Sequence, residues 1–106
     1  MTQETEPTLH FPYGFDEQIA WEADLRGVYF YAVVQLPGGD RVRVGFYDPV
    51  RLSQDLASSH EQGESYVTLP GLIVIPAVTR EYMEKAVRQL YKEDFFDYLA
   101  RLPQEE

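Results

Sequence analysis

The 106 residues contain no cysteine, which excludes a disulfide framework, thiolate metal ligation and a thiol nucleophile. Histidine is nearly missing as well. The two present, His10 and His60, have no second ligand at helical spacing, so no metal or cofactor site is expected. Long apolar runs are also missing. The longest, Leu72 to Val78, is interrupted by Pro76 and is far too short to span a bilayer. The opening MTQETEPTLH has neither a basic start nor an apolar stretch, so no secretory signal is read and the cytoplasm is the expected address. Basic residues are scarce, with 9 Lys and Arg against 18 Asp and Glu, for a net charge of −9. Such a chain is repelled by nucleic acid and by anionic membrane, and neither is an expected partner. The same acidity suits the solubility of a bacterial-type cytosolic protein and would attract a basic partner.

What is plentiful is aromatic and apolar side chains. Hydrophobic residues make up 44% of the chain, including eight Tyr, six Phe and one Trp, which rules against disorder. A length of 106 residues supports one core and not two. Residues 1–10 are read as a flexible N-terminal tail and residues 11–103 as a single domain.

The clearest strand is VYFYAVVQL, residues 28–36, which is β-branched, aromatic and apolar on both parities, as in a strand covered on both faces. Pro37-Gly38-Gly39-Asp40 reads as a turn, and RVRVGFY (residues 41–47) alternates cleanly, so the two runs form a β-hairpin. Asp48-Pro49 starts a short helix over 49–57, with Leu52 and Leu56 one turn apart. Tyr66–Leu69 and Leu72–Pro76 read as further strands, kinked apart by Pro70-Gly71. Thr79 caps a helix over 80–91 whose Met83, Ala86, Val87, Leu90 and Tyr91 share one face. Asp94 opens a second C-terminal helix over 94–102. In residues 17–26 the alternation of Ile19, Trp21, Ala23 and Leu25 favours a strand over the helix that Asp16 would cap. The expected fold is α+β: a mostly antiparallel sheet built on the central hairpin, with the helices packed on one face.

A turn spanning all of residues 37–40 sets Leu36 opposite Arg41, Val34 opposite Arg43, Val33 opposite Val44 and Phe30 opposite Tyr47. The core face is then Tyr29, Tyr31, Val33, Val42, Val44 and Phe46. The other face sets Val28, Phe30, Ala32, Val34 and Leu36 beside Arg41, Arg43, Gly45 and Tyr47. Its cover is either the N-terminal segment, through Phe11, Tyr13, Ile19 and Trp21, or a partner surface, meaning another protein or a second copy of the chain. Arg, Tyr, Phe and Trp are the types enriched at interface hot spots. The candidate interaction face is accordingly Phe30, Val34, Arg41, Arg43, Tyr47 and Trp21.

No catalytic constellation stands beside it. Gly38-Gly39 lies in a hairpin turn, not between a strand and a helix N-terminus, so it cradles no phosphate. No Gly-x-Ser-x-Gly elbow exists, and Ser58-Ser59-His60 is adjacent in sequence without triad geometry. Glu81/Glu84 and Asp94/Asp97 read as solvated helix positions. The expected function is a non-enzymatic protein-interaction module, in one version an inhibitor or immunity-type protein that neutralises a basic partner. The alternative is a small-ligand-binding or enzymatic domain with a pocket lined by Tyr66, Tyr82, Tyr91 and Tyr98, between the sheet and the C-terminal helices.

Overall fold

The computed structural model describes residues 6–103 and has an α+β fold. In chain order its elements are β1 (Thr8–His10), α1 (Glu17–Arg26), β2 (Val28–Gln35), β3 (Arg41–Tyr47), α2 (Pro49–Glu61), β4 (Leu72–Val74), α3 (Arg80–Lys92) and a 3₁₀ turn, Phe95–Tyr98. One four-stranded sheet runs in the order β1-β2-β3-β4, antiparallel except for the parallel pair β3·β4. Among the described residues no helix is long and apolar enough to cross a membrane.

The hairpin forms as the alternation predicts, but its register differs by one residue. Leu36 N–H donates to the Asp40 carbonyl and Gly39 N–H to the Leu36 carbonyl, so the connection is Pro37-Gly38-Gly39 rather than four residues. Gly39 takes φ +99°, which an L side chain rarely adopts. Gln35 therefore pairs with Arg41, Val34 with Val42, Val33 with Arg43 and Ala32 with Val44. A bulge between Tyr29 and Ala32 shifts the register again, so that Tyr29 pairs with Phe46 and Val28 with Tyr47. The bulge reverses the parity of β2 beyond Phe30. Ala32 and Val34 turn to the core, whereas Val33 and Tyr31 do not.

Ala32, Val34, Val42, Val44 and Phe46 are fully buried on the core face and meet Met83 and Val87 of α3 and Phe96 of the 3₁₀ turn. Met83 and Val87 are one turn apart, and Thr79 Oγ1 caps their helix by accepting from Tyr82 N–H at 3.3 Å. Burying five side chains on one sheet face supplies the main favourable term of folding.

Five other expectations are corrected. Residues 17–26 form a helix, not a strand. Asp16 Oδ1 accepts from Ile19 N–H at 2.9 Å and Gly27 closes the helix in the left-handed conformation, so both ends are capped. The apparent alternation is two i,i+4 pairs: Ile19 and Ala23 face the core, while Trp21 and Leu25 face solvent. The expected tail fails at Thr8–His10, which pairs with Val33–Gln35 and buries Leu9; residues 1–5 lie outside the described residues. The expected helix over 94–102 is only the turn Phe95–Tyr98. Asp94 sits at φ +60° without capping it, and the Arg101 guanidinium takes up the carbonyls of Phe96 and Leu99. Tyr66–Leu69 pairs with no strand, and β4 is only Leu72–Val74. Finally, α2 runs to Glu61 and is reached from the face opposite the core, through Tyr47.

Candidate functional site

Opposite the core, the hairpin presents Val28, Phe30, Val33, Gln35, Arg41, Arg43, Gly45 and Tyr47. The question raised by the sequence, what covers this face, has a composite answer. At the Tyr47 end, residues 66–69 cross the sheet. Gly45 lets them close: a Cβ there would sit 2.8 Å from Leu69 Cδ1 and 3.1 Å from Phe30 Cδ1. At the other end the C-terminal segment wraps the sheet. Leu99 packs on the core, Leu102 N–H donates to the Arg41 carbonyl at 2.8 Å, and Arg41 Nη2 donates to the Pro103 carbonyl at 3.1 Å. The N-terminal segment contributes less than expected. Phe11 and Ile19 pack against the core cluster, Trp21 stands in solvent, and of these four side chains Tyr13 alone reaches this face, beside Pro12.

Between the two covers a groove of about 520 Å³ stays open, lined by Pro12, Tyr13, Phe30, Tyr31, Val33, Arg41, Arg43, Leu102 and Pro103. Tyr13 and Tyr31 meet edge to face at 5.6 Å, and Tyr31 meets Tyr29 in the same manner at 5.8 Å. Tyr13 is 77% exposed, Tyr31 59% and Phe30 36%. The same three rings border a second groove of about 400 Å³, walled by Ile19, Glu22 and Arg26 of α1. Among the described residues Arg43 is exposed and makes no hydrogen bond or ion pair. Its guanidinium is available for a carboxylate or an aromatic face.

Of the six residues of the candidate face, Phe30, Arg41 and Arg43 come together here. Val34 does not, because the shifted register buries it in the core. Trp21 lines neither groove. Tyr47 shares the face but is only 4% exposed. Its hydroxyl donates to Asp55 Oδ2 at 2.6 Å, and Arg51 Nε donates to Asp55 Oδ1 at 2.9 Å. Burial and the bond to Asp55 push the Tyr47 phenol up to about 12. Burial pushes the Asp55 carboxyl upward, but the bonds from Tyr47 and Arg51 together with the Arg51 charge outweigh it and hold the group below its ordinary value. Both carboxylate oxygens of Asp55 are engaged, so the cluster ties α2 to β3. Sequence reasoning missed it, although Arg51 and Asp55 stand one helical turn apart right after Tyr47.

The four tyrosines of the alternative pocket do not meet. Tyr82 lines a groove between β4 and α3, and Tyr91 packs against the core. Tyr66 lies beside Asp55, and Tyr98 is 87% exposed. His10 is on β1 and His60 in the last turn of α2. Among the described residues no group of three or more His, Asp or Glu is placed to hold a metal ion. Comparison with protein-family models, with curated proteins and with solved structures gives no match, so the site is read from its own geometry.

Proposed function

We propose that this chain is a non-enzymatic, cytoplasmic protein-interaction module that docks a basic protein through the open hairpin face. The observation that carries the reading is the groove of Tyr13, Phe30 and Tyr31 with Arg43 at its side. Exposed rings packed edge to face are held rigid, and rigid aromatics beside an exposed arginine are the composition of interface hot spots. The net charge of −9 acts at longer range, raising the encounter rate with a basic partner and discouraging a second acidic copy. An inhibitor or immunity-type protein acting on a basic toxin or enzyme fits both features.

The test pairs wild type with a Tyr31→Ser, Arg43→Glu double variant, both exposed positions, in affinity capture from the native host followed by measured binding to the captured protein. The expected result is a basic partner whose affinity falls at least about tenfold in the variant and weakens with salt. Equal capture by both proteins, or a wild-type homodimer that the variant dissolves, sinks the reading.

A further inference from the structure

The other surface built for an occupant is the free edge of β4. We propose that it binds an extended segment of a partner protein, with apolar and basic residues alternating, by strand addition. The proposal concerns a different surface from the hairpin face and does not depend on it.

Gly45 N–H donates to the Gly71 carbonyl and Ile75 N–H donates to the Tyr47 carbonyl, so the odd-numbered residues of this stretch face β3. In a ladder the alternate residues point the other way. The N–H and C=O groups of Leu72 and Val74 therefore face outward, and among the described residues no strand lies beyond them. The strand is Leu-Ile-Val, with no charge, bulge or proline inside it, and Val74 is 47% exposed. Sheet edges are ordinarily blunted by such features. The opposite edge, β1, is equally short and also has prolines on both sides, but it shows the polar Thr8 and His10 to solvent where β4 shows Val74.

A groove of about 490 Å³ runs along the β4 edge. Ile73 and Ile75 form its floor, and Tyr82, Ala86 and Leu90 of α3 form its wall at i,i+4 spacing, with the small Ala86 leaving room in the middle. A strand paired with Leu72 and Val74 would send alternate side chains into this groove, which fixes their apolar character. The two charged residues lining the groove, Lys85 and Glu93, balance each other, so it is the whole chain's net charge of −9, acting at longer range, that favours basic residues at the other positions. It also argues against a second copy, since a β4-to-β4 pair would join two acidic chains over only three residues each.

The probe is a synthetic peptide of alternating valine and lysine, added to the full chain while amide exchange is followed by NMR. The expected result is fast exchange at Leu72 and Val74 in the free protein and marked protection on binding. Affinity should fall at least about tenfold with Val74→Lys, or with a peptide N-methylated on the amides facing β4. The N-methylated peptide leaves the protein untouched, so misfolding of the Val74 variant cannot imitate the result. The Tyr31→Ser, Arg43→Glu variant should bind the peptide as wild type does, which separates this site from the hairpin face. Unchanged exchange at Leu72 and Val74, equal binding of a valine–glutamate peptide, or a homodimer formed through this edge overturns the proposal.

Discussion

The two faces of the hairpin come from the same strands and differ in almost every other respect. On the core face five residues, Ala32, Val34, Val42, Val44 and Phe46, have no solvent exposure. On the opposite face burial is piecemeal: Val33 and Tyr47 are covered, whereas Phe30, Tyr31 and Arg43 are exposed. Met83 and Val87 of α3, with Phe96, close the first face, while two irregular segments and one hydrogen-bonded cluster cover parts of the second. Stability should therefore reside on one face and recognition on the other, and substitutions should separate the two.

The largest effect is expected at Phe46. Truncation to alanine empties the centre of the core beneath α3 and should cost about 3–5 kcal/mol, read from the urea midpoint at constant slope. At Tyr47, on the other face, replacement by phenylalanine keeps the ring and deletes its bond to Asp55. The expected cost is about 1–2 kcal/mol, near the lower end because Arg51 still satisfies Asp55. A loss at Tyr47 equal to that at Phe46 would end the distinction between the faces.

The same cluster gives the second face a pH signature. Tyr47 is raised from 10.0 to about 12 in the folded state, so its contribution is fully present below pH 10.0 and is lost as pH rises from there through about 12. Asp55 is lowered, so its contribution is present above its ordinary pKa and is lost as pH falls through the folded value. Wild type should lose stability more steeply than Tyr47→Phe across the alkaline window, and parallel curves there would refute the assignment. A smaller effect is expected for Gly45→Ala. The new methyl must displace Leu69 Cδ1, the end of a flexible side chain, so a loss of about 1 kcal/mol and faster proteolysis within residues 64–70 are expected.

What the sequence disclosed follows the same division. The alternation in Arg41–Tyr47 has one apolar parity, and every residue of β3 lies on the face that alternation predicts. β2 is apolar on both parities, so nothing in its composition marks the bulge at Phe30-Tyr31, and Tyr31, Ala32, Val33 and Val34 lie on the faces opposite to those that simple alternation predicts. The turn Pro-Gly-Gly-Asp can close around three or four residues, which left the register open as well. α1 was hidden because two i,i+4 pairs on different sides of a helix imitate the period of a strand. The groove depends on a bulge, on a crossing loop and on Leu102 wrapping the sheet edge. Each is a long-range placement with no local pattern.

The smallest change in stability should accompany the largest change in binding. Tyr31 is 59% exposed, stands at the bulge and packs edge to face with Tyr13 and Tyr29. Tyr31→Ser removes one ring from a surface that water already reaches, so folding should change by about 0.5 kcal/mol or less. The partner, in contrast, loses a rigid anchor at the centre of the groove, where truncation of a hot-spot tyrosine costs about 2 kcal/mol or more in binding. The calorimetric Tm and the dissociation constant of one variant then answer separate questions. A large fall in Tm with unchanged affinity would make Tyr31 part of the scaffold and leave the open face without its recognition role.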